Sequence, residues 1–234
     1  MLKKLSKENM GASNLGWLES RFHFSFAEYR NPKNINFGAL RVLNDDIIHP
    51  QGGFAKHPHK DMEIISYVVD GEITHKDSMG NEKTLKRGEV QYMSAGTGVM
   101  HSEYNLSKTE DLRLLQIWIL PPQKNMQTLY GSHRYKENER QNRLLNIVSS
   151  LKGDAKVKIH QDIEIYVSET TQEIQYSIKK DKQIYFVQIE GESLINEQVS
   201  LSAGDAMEIT DENLLHVKPL GKIHFLFIEL KSEF

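Results

Sequence analysis

Apolar and polar positions alternate along this chain in short runs broken by turn signals. Leu40 to Ile48 is a β-rich run that ends in a Pro50-Gln-Gly-Gly53 turn. Met62 to Val69 is β-branched and aromatic and is closed by Asp70-Gly71, a strong hairpin signal. A second hairpin is centred on Met79-Gly80-Asn81, and Arg87-Gly88 opens a strand from Glu89 to Met93. Ser94-Ala-Gly-Thr-Gly98 then turns the chain into Val99–Glu103. Leu112 to Leu120 alternates and stops at Pro121-Pro122, which cannot continue a central strand. Many short strands at this spacing predict an all-β sandwich or barrel.

The stretch from Gln123 to Asn146 is polar and reads as a linker with room for a short helix. Beyond it, Val157, Ile159, Ile163, Ile165 and Val167 share one parity, the mark of a half-buried strand. Strands over Gln183–Ile189, Ser193–Val199 and Ile223–Leu230 complete a second β unit. The expected domains are residues 1–135 and 136–234. The halves read as a diverged repeat, because Gly71-Glu72 and Gly191-Glu192 each follow an apolar strand while Gly88-Glu89 and Gly204-Asp205 each open one.

Composition narrows the function. The 234 residues contain no cysteine, which removes disulfides, zinc ribbons, iron–sulfur clusters and thiol catalysis. A net charge of −3 gives no electrostatic reason to expect nucleic acid or an anionic membrane. No apolar run reaches the roughly 18 residues of a membrane span, and Met1-Leu-Lys-Lys-Leu lacks the apolar core of a signal peptide. The expectation is a soluble cytoplasmic protein.

Two short segments carry candidate chemistry. His57-Pro-His59 and His101-Ser-Glu103 each place two metal-ligand side chains at i and i+2, hence on one face of a strand. Two such strands facing each other in a small barrel would converge three imidazoles and one carboxylate on one point. That donor set suits Fe(II), Mn(II), Co(II), Ni(II), Cu(II) or Zn(II) and does not choose among them. Under the repeat, counting from Gly71 and Gly191 puts His57, His59 and Glu63 on Ser177, Lys179 and Gln183. Counting from Gly88 and Gly204 puts His101 and Glu103 on Val217 and Pro219. One metal per chain is expected, in the N-terminal unit only.

Gly53, His57-Pro-His59, Glu63 and Gly71, followed by Gly88, Ser94-Ala-Gly96, His101 and Asn105, follow the double motif of the cupin superfamily. Ser94 stands where proline is usual, and the glycine-to-histidine spacing is two residues longer. These departures, with Gly16-Trp-Leu-Glu-Ser20, Phe22-His-Phe-Ser-Phe-Ala27, Leu40-Arg-Val-Leu-Asn-Asp45 and Met93-Ser-Ala-Gly-Thr-Gly98, resemble the pirin family and its bacterial quercetin 2,3-dioxygenase-like members. The resemblance covers roughly residues 14 to 135. It implies a bicupin whose N-terminal barrel holds iron(II) through His57, His59, His101 and Glu103, with the C-terminal barrel lacking metal. It also implies a flavonol and O2 as substrates. The 3-hydroxyl gives its proton to Glu103, dioxygen adds to the heterocycle, and the ring opens with loss of carbon monoxide. A second function is compatible with the same site: a metal-bound, redox-sensing regulator that acts on a protein partner.

Glu63 shares the parity of His57 and His59 and is expected to orient one of the histidines from behind. His75 reads as a solvated hairpin histidine and His23 as structural. His133, His160, His216 and His224 have no partner spacing. Trp118, Met93 and Met100 read as core, and Lys179, Lys180 and Lys182 as an exposed basic face.

Overall fold

The computed structural model describes residues 1–232, and nearly all of its regular structure is strand. In the first barrel a seven-stranded sheet runs, edge to edge, through Leu129–Arg134, Glu89–Ser94, Glu63–Asp70, Leu112–Ile119, Leu40–Ile48, Leu18–Phe22 and Gly11–Asn14. It is faced by a four-stranded sheet of Gly53–His59, Val99–Tyr104, Glu72–Asp77 and Glu82–Lys86. The second barrel repeats this. Its large sheet runs through Leu2–Leu5, Ala206–Ile209, Lys182–Glu190, Ile223–Lys231, Glu164–Thr170, Leu145–Ser150 and Val157–Ile159. Its small sheet is Ile174–Ser177, Leu214–Pro219, Glu192–Ile195 and Val199–Ser202.

The two large sheets pack on each other, and the largest core lies between the barrels rather than within either one. Leu43, Ile65, Tyr67 and Ile117 of the first sheet meet Ile165, Tyr185, Leu226 and Ile228 of the second, all fully buried. Each large sheet is therefore covered on both faces. This explains why Glu63–Asp70 and Lys182–Glu190 are nearly continuous apolar runs instead of alternating ones.

Two expectations change. The second sheet begins with Leu2–Leu5, paired antiparallel with Ala206–Ile209, so a boundary drawn only after residue 135 misplaces the first strand. The stretch after Pro122 is not all linker: Leu129–Arg134 adds to the first sheet beside Glu89–Ser94. Smaller differences have local causes. Asn196 and Glu197 adopt φ of +48° and +56°, turning Ser193–Val199 into a hairpin between two strands. The run from Val157 to Val167 divides between two strands, with Val157–Ile159 pairing in parallel with Leu145–Ser150.

The repeat itself is present. Gly71 and Gly191 both sit at φ +75°, and a Cβ on either would come within 2.4 Å of a backbone carbonyl, of Asp111 and of Lys222. Only glycine meets both conditions, so the same turn recurs for the same steric reason.

Candidate metal centre

The four-stranded sheet of the first barrel sets out the centre. Gly53–His59 pairs with Val99–Tyr104 so that His101 lies opposite His57, and a register shift separates His101 from Glu103. On its other edge, Val99–Tyr104 pairs with Glu72–Asp77, placing Glu103 opposite His75. The Nε2 atoms of His57 and His59 are 2.9 Å apart, and those of His101 and His57 are 3.1 Å apart. Two nitrogens each about 2.1 Å from one ion and at right angles to each other stand roughly 3.0 Å apart, so this spacing fits three imidazoles on one ion. His57 Nδ1 lies 2.8 Å from the Ala55 carbonyl. A proton held there leaves the Nε2 lone pair free to face the cluster. Burial, reinforced by neighbouring imidazoles, pushes both His59 and His101 down to about 4. They are neutral near pH 7, the form that binds a metal.

Glu103 stands beside this triad, in a second group that shares His101 with it. The ligand atoms of His57, His59 and His101 lie within 4.8 Å of one another, as do those of His75, His101 and Glu103. The Glu103 carboxylate is buried. Its Oε1 accepts from Gln91 Nε2 at 2.8 Å and Ser66 Oγ at 3.2 Å, and its Oε2 accepts from Gln116 Nε2 at 2.9 Å. Burial alone would raise its pKa. The adjacent His75 and His101 rings and the Ser66 hydroxyl outweigh it and hold the carboxyl below the usual range. A carboxylate beside three imidazoles is a donor set for a divalent transition ion.

His75 is the clearest departure from the sequence reading. It is buried, bonds Asp77 Oδ2 through Nε2 at 3.2 Å and stacks on Tyr130, with ring centroids 5.1 Å apart. Its Nδ1 is 3.5 Å from His101 Nδ1, so Asp77 and His75 orient His101 from behind.

Glu63 does not do this. Lys60–Met62 breaks the strand, with Asp61 at φ +51°, so the parity of His57 and His59 does not carry through to Glu63. Its carboxylate is fully buried and accepts from Tyr92 Oη at 2.7 Å, His160 N at 2.9 Å and Gln161 N at 3.0 Å. Glu63 ties the first barrel to the second. His160 is thereby explained, and so are His23 and His224, which bond Tyr185 Oη at 3.0 Å and Tyr67 Oη at 2.9 Å across the same boundary.

Ser66, Gln91 and Gln116 were missed, although the sequence carried a signal for them. Each is a polar residue with an apolar or aromatic neighbour on both sides along its strand, where burial demands a partner.

A pocket of about 300 Å³ opens over the triad. Phe22, Phe26, Phe54, Ile64 and Trp118 form its apolar walls, and His57, His59, His101 and Glu103 lie at one side. Trp118 packs against the small core of Ile64, Met93 and Val99, lines the pocket as well, and meets His59 edge to face, with centroids 4.9 Å apart. Among the described residues, no helix is long and apolar enough to cross a membrane.

Two barrels stacked through their large sheets, with imidazoles and a carboxylate gathered, among the described residues, in only one of them, define a bicupin with one candidate metal centre. The comparisons make this specific. Residues 4–119 match the Pirin family model, residues 146–230 match the quercetinase C-terminal cupin domain, and the chain belongs to the pirin family. It is 41% identical to the quercetin 2,3-dioxygenase of Escherichia coli K12 over 94% of each chain. It is 38% identical to a pirin-like protein of Caulobacter vibrioides, over 98% of this chain and 99% of that one. The crystal structure of Escherichia coli bacterial pirin YhhW in complex with nickel(II) superposes with a TM-score of 0.92 at 37% identity, covering 99% of both chains.

Proposed function

We propose that this protein is a metal-dependent dioxygenase that cleaves a flavonol such as quercetin with O2 and releases carbon monoxide. The observation that carries the reading is the convergence of three Nε2 atoms beside an ionised carboxylate at the side of an aromatic-walled pocket. His57, His59, His101 and Glu103 are the proposed ligands of one divalent ion per chain, iron(II) by family resemblance. When bound, that ion supplies Lewis acidity and a template for substrate and dioxygen. The nickel complex of YhhW and the name of the K12 relative support a metal and a flavonol in this fold.

The protein's own groups have separable tasks. His75 and Asp77 hold the His101 ring, and the Ala55 carbonyl holds that of His57. Ser66, Gln91 and Gln116 keep the Glu103 carboxylate ionised and fixed while it takes the proton of the flavonol 3-hydroxyl. Phe22, Phe26 and Trp118 flank the planar rings and exclude water. Dioxygen adds to the heterocycle, the two bonds to the carbon bearing the 3-oxygen break, and that carbon leaves as carbon monoxide. Both atoms of O2 remain in the ring-opened product.

The test is headspace carbon monoxide and oxygen uptake with quercetin, at measured metal content. Wild type should consume O2 and release carbon monoxide. Glu103→Gln at equal metal loading should turn over about 10²–10⁴-fold more slowly, the loss of a general base. Fully loaded wild type that releases no carbon monoxide would overturn the assignment.

A further inference from the structure

Three polar atoms around the same pocket have no partner in the protein. Asn44 Oδ1, Asp46 Oδ1 and Trp118 Nε1 are buried without a hydrogen bond, and all three residues line the pocket. Their placement is not scattered. Asn44 and Asp46 sit at i and i+2 on Leu40–Ile48 and share one face of the sheet. Across the ladder Asn44 lies opposite Gln116, Asp46 opposite Leu114, and Val42 opposite Trp118. Gln116 spends its amide on Glu103 and Ser66, so it has a structural task at the centre. Asn44 Oδ1 has no such task, and the one contact of Asp46, with Ser20, leaves its Oδ1 free. Buried polar groups in native proteins are nearly always paired, so three orphans at one cavity point to a missing ligand.

We infer that Asn44, Asp46 and the Trp118 indole form a hydrogen-bonding clamp that selects polyhydroxylated aromatic ligands over less hydroxylated ones of the same skeleton. The flavonol reading of the pocket supplies the skeleton, and the clamp adds the substituents. Two acceptors call for O–H donors on the ligand, and the indole N–H calls for a ligand oxygen. Phe22, Phe26 and Phe54 call for a flat apolar body between those groups. Burial pushes the Asp46 carboxyl up to about 7, against an opposing hydrogen bond from Ser20, and nearby Asp45 and Glu103 push the same way. Near neutral pH that carboxyl is divided between its two forms and can accept from, or donate to, a neutral hydroxyl. A site built to bond a hydroxyl rejects the analogue that lacks it, because its own groups are then left unpaired.

Calorimetric titration of the protein as isolated with quercetin and with 3-hydroxyflavone measures the preference directly. Wild type should bind quercetin at least about tenfold more tightly. Asp46→Leu and Asn44→Leu should bring the two affinities to within about threefold of each other while leaving that for 3-hydroxyflavone nearly unchanged. The melting temperature of Asn44→Leu should equal or exceed that of wild type, because replacing an unpartnered buried polar group by an apolar one of similar shape relieves a cost, while Asp46→Leu, which also gives up the Ser20 hydrogen bond, should melt close to wild type. Asp46→Asn, which keeps an acceptor, should retain a preference for quercetin. The clamp is overturned if wild type shows no preference or if both leucine variants keep it. It is also overturned if Asp46→Leu and Asp46→Asn both melt well below wild type, since the side chain would then serve the fold. The outcomes separate from turnover: a preference without carbon monoxide release removes the oxygenase and leaves the clamp. Carbon monoxide release with an unchanged preference does the reverse.

Discussion

The two barrels share a strand order yet differ at the same points of the ladder. In the first, Ser66 lies opposite Gln91 and Gln116, and Glu103 opposite His75. Placed by their ladders from Gly71 and Gly191, the matching pairs in the second are Phe186 opposite Met207 and Phe227, and Val217 opposite Ile195. All five of these second-barrel residues belong to one apolar core. One architecture thus closes the second barrel by packing. In the first it is held open by a polar network that must be completely paired. Hydrogen-bonding groups at the first barrel's centre are costly unless satisfied, whereas packed side chains at the second yield stability alone. Chemistry and stability are divided between the copies.

The sharpest way to break that comparison is to remove a first-barrel imidazole. His101→Ala should reduce bound metal from one ion per chain to none, measured by elemental analysis, with the far-ultraviolet spectrum of a β protein unchanged. Retained metal would show that the second barrel or another group binds it. The converse change is Phe186→Ala, which should cost about 3–5 kcal/mol in denaturant unfolding while the folded fraction keeps its metal. Loss of metal without loss of stability would reverse the assignment of roles. Glu63→Gln leaves one of the buried donors from Tyr92, His160 or Gln161 poorly paired. It should cost about 1–3 kcal/mol with metal content unchanged. Metal loss in that variant would return Glu63 to the centre.

The division of labour was partly legible in the chain. The convergence of His57, His59 and His101, with Glu103 beside His101, was legible because a two-residue period on a strand is a strong geometric constraint. The glycine turns at 71 and 191 disclosed the repeat. The counted offset from Gly88 and Gly204 nevertheless placed Glu103 on Pro219, whereas the ladder places it on Val217. The second half is two residues shorter over that stretch, and a count along the chain cannot register a length change between strands. Glu63 failed for a related reason: parity holds only within one strand, and Lys60–Met62 ends it. His75 looked solvated because its strand is short and polar, and only the stacking of Tyr130 from a distant segment buries it. Pairing of Leu2–Leu5 with Ala206–Ile209 joins the two ends of the chain, which no local pattern encodes.

A further expected effect concerns pH. Burial pushes His23, His59 and His101 each down to about 4. Between about 4 and the ordinary histidine value near 6.5 these three groups bind more protons in the unfolded chain than in the folded one; Asp46, pushed up to about 7, opposes them but is outweighed three to one, so stability rises with pH through that window. Metal-free protein should therefore unfold at progressively lower denaturant as pH falls from about 6.5 to 4, and change little in this respect above 7. A flat profile across the window would mean that these histidines are solvated.

The central claim is that one barrel holds the ion and its equivalent does not. Anomalous scattering from a crystal loaded with nickel or iron measures this directly. The account predicts a single peak per chain, bonded to Nε2 of His57, His59 and His101 and to a Glu103 oxygen, at about 2.0–2.2 Å for the nitrogens. A peak in the second barrel, or one bound through Glu63 in place of Glu103, would contradict it.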